Sequence, residues 1–242
     1  MAGHVRGIDH AVILVRDLDR ARDTYARMGF TLTPRGYHSL GSQNHCIMFG
    51  RDYLELMALP AAPPAAFQYF ADFLIRAEGV GALALATEDA AAAYAEVIRA
   101  GIAAEAPLAL SRPVENLGEA RFTLVQLPPA ETPGFRTFLC QHHTREIVWR
   151  PEYQRHANGV GGINSVSIAT PDPARYARLL DGFPVTYAHA STPAIAAIRL
   201  RADDKQAAAD SLRRGGFSPI ALKGGVLALS AEQAHGVLLV FD

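Results

Sequence analysis

Two cysteines in 242 residues, Cys46 and Cys140, are too few and too far apart for a disulfide framework or a CxxC thiolate centre. Each is expected to be a small buried hydrophobe. An excess of charge of either sign is also missing, since 23 Lys and Arg face 24 Asp and Glu for a formal net charge of −1. Without a basic field, neither nucleic acid nor an anionic membrane surface is an expected partner. No run reaches the ~18 to 20 apolar residues of a membrane span, and the opening MAGHVRGIDH lacks a basic stretch followed by an apolar one. A cytoplasmic protein is therefore expected. There is no GxSxG nucleophile elbow and no glycine-rich phosphate loop ahead of a helix, because Gly79-Val80-Gly81 leads into a strand. With 50% hydrophobic residues, the chain can still bury a large core.

What is present is an internal echo. Gly7-Ile8-Asp9-His10 is answered by Gly162-Ile163-Asn164-Ser165, and both run into an apolar strand, an Asp-containing turn (Asp17, Asp172), an amphipathic helix and a Gly-Phe stop (Gly29-Phe30, Gly182-Phe183). A second pair matches at constant offset: Thr87-Glu88-Asp89 with its Ala-rich helix to Gly101, and Ala202-Asp203-Asp204 with the helix to Gly216. Periodicity places a strand over 10–15, a helix over 20–28 begun by Asp17 and ended by Gly29, and strands over 30–34, 45–49 and 53–59. This is a β-α-β-β-β unit. After a Pro/Ala linker, residues 67–75 read as an extra amphipathic helix carrying Phe67, Phe70, Phe73 and Leu74. The second unit has a strand over 79–87, a helix over 90–100 and strands near 108–110, 121–127 and 135–141. The polar connector 150–162 is the expected interior boundary. A shortened third unit, 162–190, and a fourth, 194–242, complete the chain. The expected class is α+β, with one domain at 1–150 (modules 7–59 and 79–149) and a second, degenerate paired region at 160–242.

The stretches GIDHAVILVRDLDRARDTYARMGF, GYHSLGSQNHCIMFGRDYLELM and FLCQHHTREIVWRPEYQRHANG resemble the glyoxalase-like branch of the vicinal-oxygen-chelate superfamily. The resemblance is closest from residue 7 to about residue 160 and looser beyond. It implies that paired βαβββ modules curl into open, cup-shaped sheets with helices outside, each cup holding a divalent metal. Ligands would come from the first and last strands of a module, positions matched here by His10 and Glu55.

Both residues are odd in their own right, being polar side chains in otherwise apolar strands. A buried carboxylate without a partner is destabilising by several kcal/mol, roughly, so Glu55 needs a hydrogen bond, an ion or a wet cavity. Strand alternation puts His10 on one face with Val12 and Leu14, and Glu55 with Tyr53 and Met57. Aligning the repeats puts Ala82 where His10 stands, Cys140 or Gln141 near the place of Glu55, and Ser165 at the His10 position of the third unit. The nearest replacement ligands are His142 and His143, of which only one can reach the cup, and the family likeness favours His143. Gly36-Tyr37-His38 and Gly41-Ser42-Gln43-Asn44-His45 supply donors suited to fixing a carbonyl or carboxylate at the rim. His38, Asn44, Gln141, His142, Trp149 and Arg150 are accordingly expected to bind substrate, with His156 near a lid edge.

The implied function is a small-molecule enzyme with lyase, isomerase or dioxygenase chemistry on an oxygen-bearing metabolite. His10 and Glu55 would be catalytic, and His10, Glu55 and His143 would ligate Zn, Fe, Mn or Ni. Without metal, Glu55 would act as the base. The other expectation is a non-catalytic cup that binds or sequesters a small molecule. Paired modules in the superfamily sometimes come from two chains, so a homodimer is left open.

Overall fold

Each repeat begins with a strand and reaches, eight residues past one fixed point in it, an aspartate that starts a helix. The structure is a computed structural model describing residues 3–114 and 117–242. The first module is β1 (Val5–Leu14), α1 (Leu18–Arg27), β2 (Gly36–Tyr37), β3 (Gln43–Met48) and β4 (Tyr53–Ala58). An inserted helix, α2 (Gln68–Arg76), precedes the second: β5 (Gly79–Thr87), α3 (Ala90–Arg99), β6 (Leu108–Val114), β7 (Gly118–Gln126) and β8 (Arg136–His142). After the short α4 (Arg145–Val148), the third module holds only β9 (Val160–Thr170), α5 (Pro173–Leu180) and β10 (Val185–His189). The fourth is β11 (Ala194–Ala202), α6 (Lys205–Arg214), β12 (Ile220–Ala221), β13 (Leu227–Leu229) and β14 (Leu238–Phe241).

The four long module helices start alike. Asp17, Asp89, Asp172 and Asp204 accept from the backbone N–H of Arg20, Ala92, Arg175 and Ala207, respectively. Each such cap is worth about 0.5–2 kcal/mol. The first strands also share an irregularity. In β1 and β5, which run antiparallel, the register skips at Asp9 and at Gly81; in β9 and β11 it skips at Asn164 and at Ala196. These are β-bulges, which turn two successive side chains toward one face.

Strand order in the first sheet is β2-β3-β4-β1-β5-β8-β7-β6, and its end strands β2 and β6 meet, curling the sheet into a cup. The second sheet runs β10-β9-β11-β14-β13-β12. Ala11 and Ile13 of β1, with Val15 just after it, join Leu18, Ala21 and Tyr25 on the helix side. Val12 and Leu14 face inward with Met57 and Ala82, where Phe70, Phe73 and Leu74 of α2 cover them. Thus α2 fills part of the cup, as the aromatic spacing of 67–75 suggests.

The apolar core does not stop at the connector. One buried cluster runs from Val5 through Tyr25 and Phe49 to Ile198, Leu239 and Phe241. Phe30 stacks on Phe241 with ring centroids 6.3 Å apart, and Tyr25 donates its hydroxyl to the Ala234 carbonyl at 3.2 Å. His235, with left-handed backbone (φ 54°), contacts Glu78 at 2.9 Å and Thr24 at 3.3 Å.

Two expectations change, and the shortened third unit gains a physical description. Residues 30–34 form no strand: Pro34 lacks an N–H, and Thr31 and Thr33 bond instead to His156 and to the β3 edge. β6 extends from Leu108 to Val114, beyond the expected 108–110, with Pro113 tolerated because β6 is an edge strand. In the third module the shortening is a lost pair of strands, since α5 leads directly into β10, parallel to β9. Among the described residues no helix is long and apolar enough to cross a membrane.

Asp52, in the β3–β4 turn, accepts from the Ile163 N–H at 2.8 Å and so ties the first sheet to β9. Burial pushes its carboxyl up to about 6, against the opposing effects of that hydrogen bond and of Arg201. With the folded value above the unfolded one, the folded state holds the proton more tightly. The contribution of Asp52 to stability is therefore fully present below about pH 4 and is lost as pH rises through about 6, by on the order of 2 kcal/mol. Asp52→Asn keeps an acceptor for Ile163 and should be the more stable protein at pH 8, with that decline absent. Thermal unfolding of both proteins from pH 4 to 8 checks this, and parallel curves would refute it.

Candidate active site in the first cup

The bulge at Asp9 sets the centre of the site. Regular alternation would send Asp9 and His10 to opposite faces, but the extra residue lets both point into the cup, where they are 1% and 3% exposed. His10 Nδ1 lies 2.6 Å from Asp9 Oδ2, so Nδ1 carries the proton and Nε2 is turned toward Glu55 Oε2 at 3.6 Å. Tyr53 stacks on the His10 ring at 4.3 Å, and the edge of Phe138 meets it at 5.5 Å. The imidazole is thereby fixed on three sides.

Glu55 projects from the middle of β4 and is 7% exposed. Asn44 of β3 donates its amide to Glu55 Oε1 at 2.6 Å. His38 Nδ1 pairs with Ser42 Oγ at 2.8 Å, which leaves its Nε2 3.4 Å from the Asn44 amide and 3.7 Å from Glu55 Oε1. Burial pushes His38 below its ordinary value, opposed by the nearby Glu55. A neutral His38 accepting at Nε2 and donating from Nδ1 satisfies both contacts. The carboxylate is thus flanked by His10 on one oxygen and by Asn44 and His38 on the other.

On the far wall, β8 turns Phe138, Cys140 and His142 inward. His142 Nε2 lies 3.0 Å from Asp9 Oδ2 and 3.5 Å from Cys140 Sγ, and its ring is edge-on to Trp149 at 4.8 Å. Burial would raise the Asp9 carboxyl, but hydrogen bonds from His10 and His142 outweigh it and bring Asp9 down to about 2. Asp9 is therefore an ionised acceptor shared by two imidazoles. Burial pushes the Cys140 thiol well above its ordinary value.

Other expected positions lie elsewhere. His143 is exposed on the outer face, 2.8 Å from Thr123 Oγ1, in a shallow groove with Ser111, Glu119 and Arg121. The parity of β8 decides this, since Phe138, Cys140 and His142 alternate with Leu139 and Gln141 on the helix side. Gln141 accordingly binds the Glu88 carbonyl and the Ala90 N–H at the start of α3. Arg150 is engaged by Glu152 and stands over the Tyr153 ring. His156 bonds the Thr31 N–H and the Met48 carbonyl, a structural tie. Trp149 does close the cup, 8% exposed and edge-on to Tyr53 at 5.4 Å.

The pairing registers also correct one alignment. Val12 lies opposite Glu55 in the first module, and its counterpart Ala84 lies opposite Phe138 in the second. Phe138, rather than Cys140 or Gln141, occupies the Glu55 position. With Ala82 at the His10 position, the second module supplies no donor at either place, so a symmetric four-ligand metal centre does not fit these residues. His10 and His38 approach opposite oxygens of Glu55, an arrangement of a clamped carboxylate rather than three ligands converging on a point. Among the described residues, Asp9, Cys140 and His142 do form a group with donor atoms within 4.8 Å of one another, the O, S and N donors that zinc accepts.

Asp9 is the residue that sequence reasoning passed over as a site member. Its one signal was a carboxylate within an apolar strand, and alternation pointed it the wrong way because bulges leave little trace in sequence.

A glyoxalase-like domain family matches residues 8–184. No curated protein sequence matches the chain. Among solved structures, a hypothetical protein from Staphylococcus aureus aligns at 13% identity and TM-score 0.72, over 98% of each chain. A substituted variant of 4-hydroxymandelate synthase from Streptomyces coelicolor aligns at 14% identity and TM-score 0.66, over 99% of this chain and 92% of that one. At such identities the structural likeness speaks for the fold alone, and the fold it supports is the paired-module cup described above. The family match spans most of the chain, so the protein belongs to the glyoxalase-like domain family of the vicinal-oxygen-chelate superfamily.

Proposed function

We propose that the chain is an enzyme that moves a proton on a small carbonyl-bearing metabolite in the first cup, an isomerase or lyase, with Glu55 as the base. The observation that carries this reading is the buried Glu55 carboxylate, held by Asn44 at 2.6 Å and facing His10 Nε2 at 3.6 Å. That gap is too long for a direct hydrogen bond, and a substrate atom placed beside it meets both groups.

In this reading a C–H bond next to the substrate carbonyl breaks. The proton passes to Glu55 and the electron pair delocalises onto the carbonyl oxygen. His10, oriented through Asp9 and in the substrate complex carrying a second proton on Nε2 taken from solvent, donates that proton to the oxygen and takes it back as Glu55 returns its own to carbon in the product. Asp9 is a positioning residue here, as the carboxylate is in a catalytic triad. Tyr53, Phe138 and Trp149 exclude water. No step is routed through a metal, because the donors of a family-type centre are missing from the second module.

The test is hydrogen exchange. Hydroxyketones and 2-oxo acids are incubated with the protein in D₂O, before and after exhaustive chelation, and deuterium at the carbon next to the carbonyl is followed by NMR. Enzyme-dependent exchange that survives chelation is expected. Exchange lost on chelation and restored by Zn²⁺ or Mn²⁺ would replace the direct-base reading with a metal-assisted one. Saturable binding with no exchange would instead favour a sequestering cup, and oxygen uptake with catechols a dioxygenase.

A further inference from the structure

Glu55 is reached from solvent past His38, whose side chain is 29% exposed while that of Glu55 is 9% exposed. Across the seam where β2 meets β6 stands Arg112, half-buried. Its guanidinium lies over Gly36: a methyl carbon at Gly36 would run into Asn44 Oδ1 and come within 3.1 Å of Arg112 Nη1. The bare glycine therefore lets this cation approach the same amide that holds Glu55. Most half-buried arginines here are paired, as Arg136 is with Glu105 and Arg199 with Asp242. Among the described residues no hydrogen bond or ion pair engages the Arg112 guanidinium. Its charge nevertheless reaches the site, adding to burial in holding His38 below its ordinary value.

We propose, resting on the reading of Glu55 and His10 as the reacting pair, that the substrate is a carboxylic acid whose carboxylate is gripped by Arg112 at the mouth of the cup. Its carbonyl and adjoining carbon then lie deeper, against Glu55. A single planar guanidinium matches the two oxygens of a carboxylate. A phosphate site draws on several converging donors, commonly a run of backbone N–H groups, and the β2–β6 seam offers one guanidinium.

The experiment uses full-length protein, a series of 2-oxo acids beginning with 2-oxobutanoate, and their methyl esters. Exchange at C3 in D₂O is compared for wild type, Arg112→Gln and Arg112→Lys, with circular dichroism confirming the fold of each. Wild type should show a KM for the acid at least about 10-fold below that for the ester. Arg112→Gln should raise KM for the acid by about 10- to 100-fold, leave the ester and kcat nearly unchanged, and be partly reversed in Arg112→Lys. Equal effects on acid and ester, or none, would overturn the proposal.

Binding gives a readout free of turnover, because Trp149 is the one tryptophan and lines the cup. Saturable quenching by 2-oxo acids in wild type and in Glu55→Gln, lost in Arg112→Gln, supports the Arg112 grip even where no exchange occurs; in that case only the proton-transfer reading fails. No quenching by any acid, or displacement of the acids by lower concentrations of inorganic phosphate, would overturn the carboxylate assignment itself.

Discussion

Glu55→Gln is expected to reduce deuterium exchange by about 10²- to 10⁴-fold, the usual contribution of a positioned general base. The substitution preserves shape and volume inside the cup. Asn44 can rotate its amide to present oxygen to the new NH₂, so the hydrogen bond now made at 2.6 Å survives with its polarity reversed. Unfolding temperature should consequently move little, and quenching of Trp149 by ligand should persist. What disappears is the ability to take up a proton. A mutant that folds, binds and still exchanges at the wild-type rate would remove Glu55 from the chemistry and leave His10 as the remaining candidate base.

The second large effect concerns the way the two sheets depend on each other. Phe241, 1% exposed, ends the last strand yet stacks on Phe30 of the first module at 6.3 Å. Phe241→Ala removes a fully buried ring and leaves a cavity, destabilising the protein by about 3–5 kcal/mol. Because one buried cluster embraces both sheets, that loss should appear as a lower midpoint of a single denaturant transition with an unchanged m-value. Tyr25, Asp52 and His235 bridge the same divide and point to the same outcome. A melt in two steps, with only one of them shifted, would show that residues 1–150 and 160–242 unfold as independent domains.

The module grammar was legible because it is local: apolar runs, Asp caps and glycine stops each act within a few residues. His10 and Glu55 stood out for a related reason, as polar residues in apolar strands. Choosing between His142 and His143 required knowing which residue of β8 first faces inward, and one residue of slip inverts that answer. Asp9 was hidden by its bulge. Arg112 was hidden by length, because Ser111-Arg112-Pro113 reads as loop and becomes strand only through pairing with β7. Gln141 and Arg150 carry suitable chemistry, but their partners, Glu88 and Glu152, lie outside the cup. Composition describes what a side chain can do, whereas tertiary register decides what it meets.

The repeated bulge has a consequence for how this architecture changes its chemistry. At Asp9-His10, Gly81-Ala82, Asn164-Ser165 and Ala196-Ala197, the same backbone kink aims a neighbouring pair of positions to one side. Only the first pair is buried with two titratable side chains; the other three share its backbone irregularity. Gly81-Ala82 is obstructed by Leu14, which a carbon added at Gly81 would strike, so filling it requires a smaller residue at position 14. Asn164-Ser165 is already polar, with Asn164 donating to Asp242 at 3.4 Å. New reactivity in such a chain can therefore arise by exchanging two adjacent side chains, with no new loop and no rearranged strand.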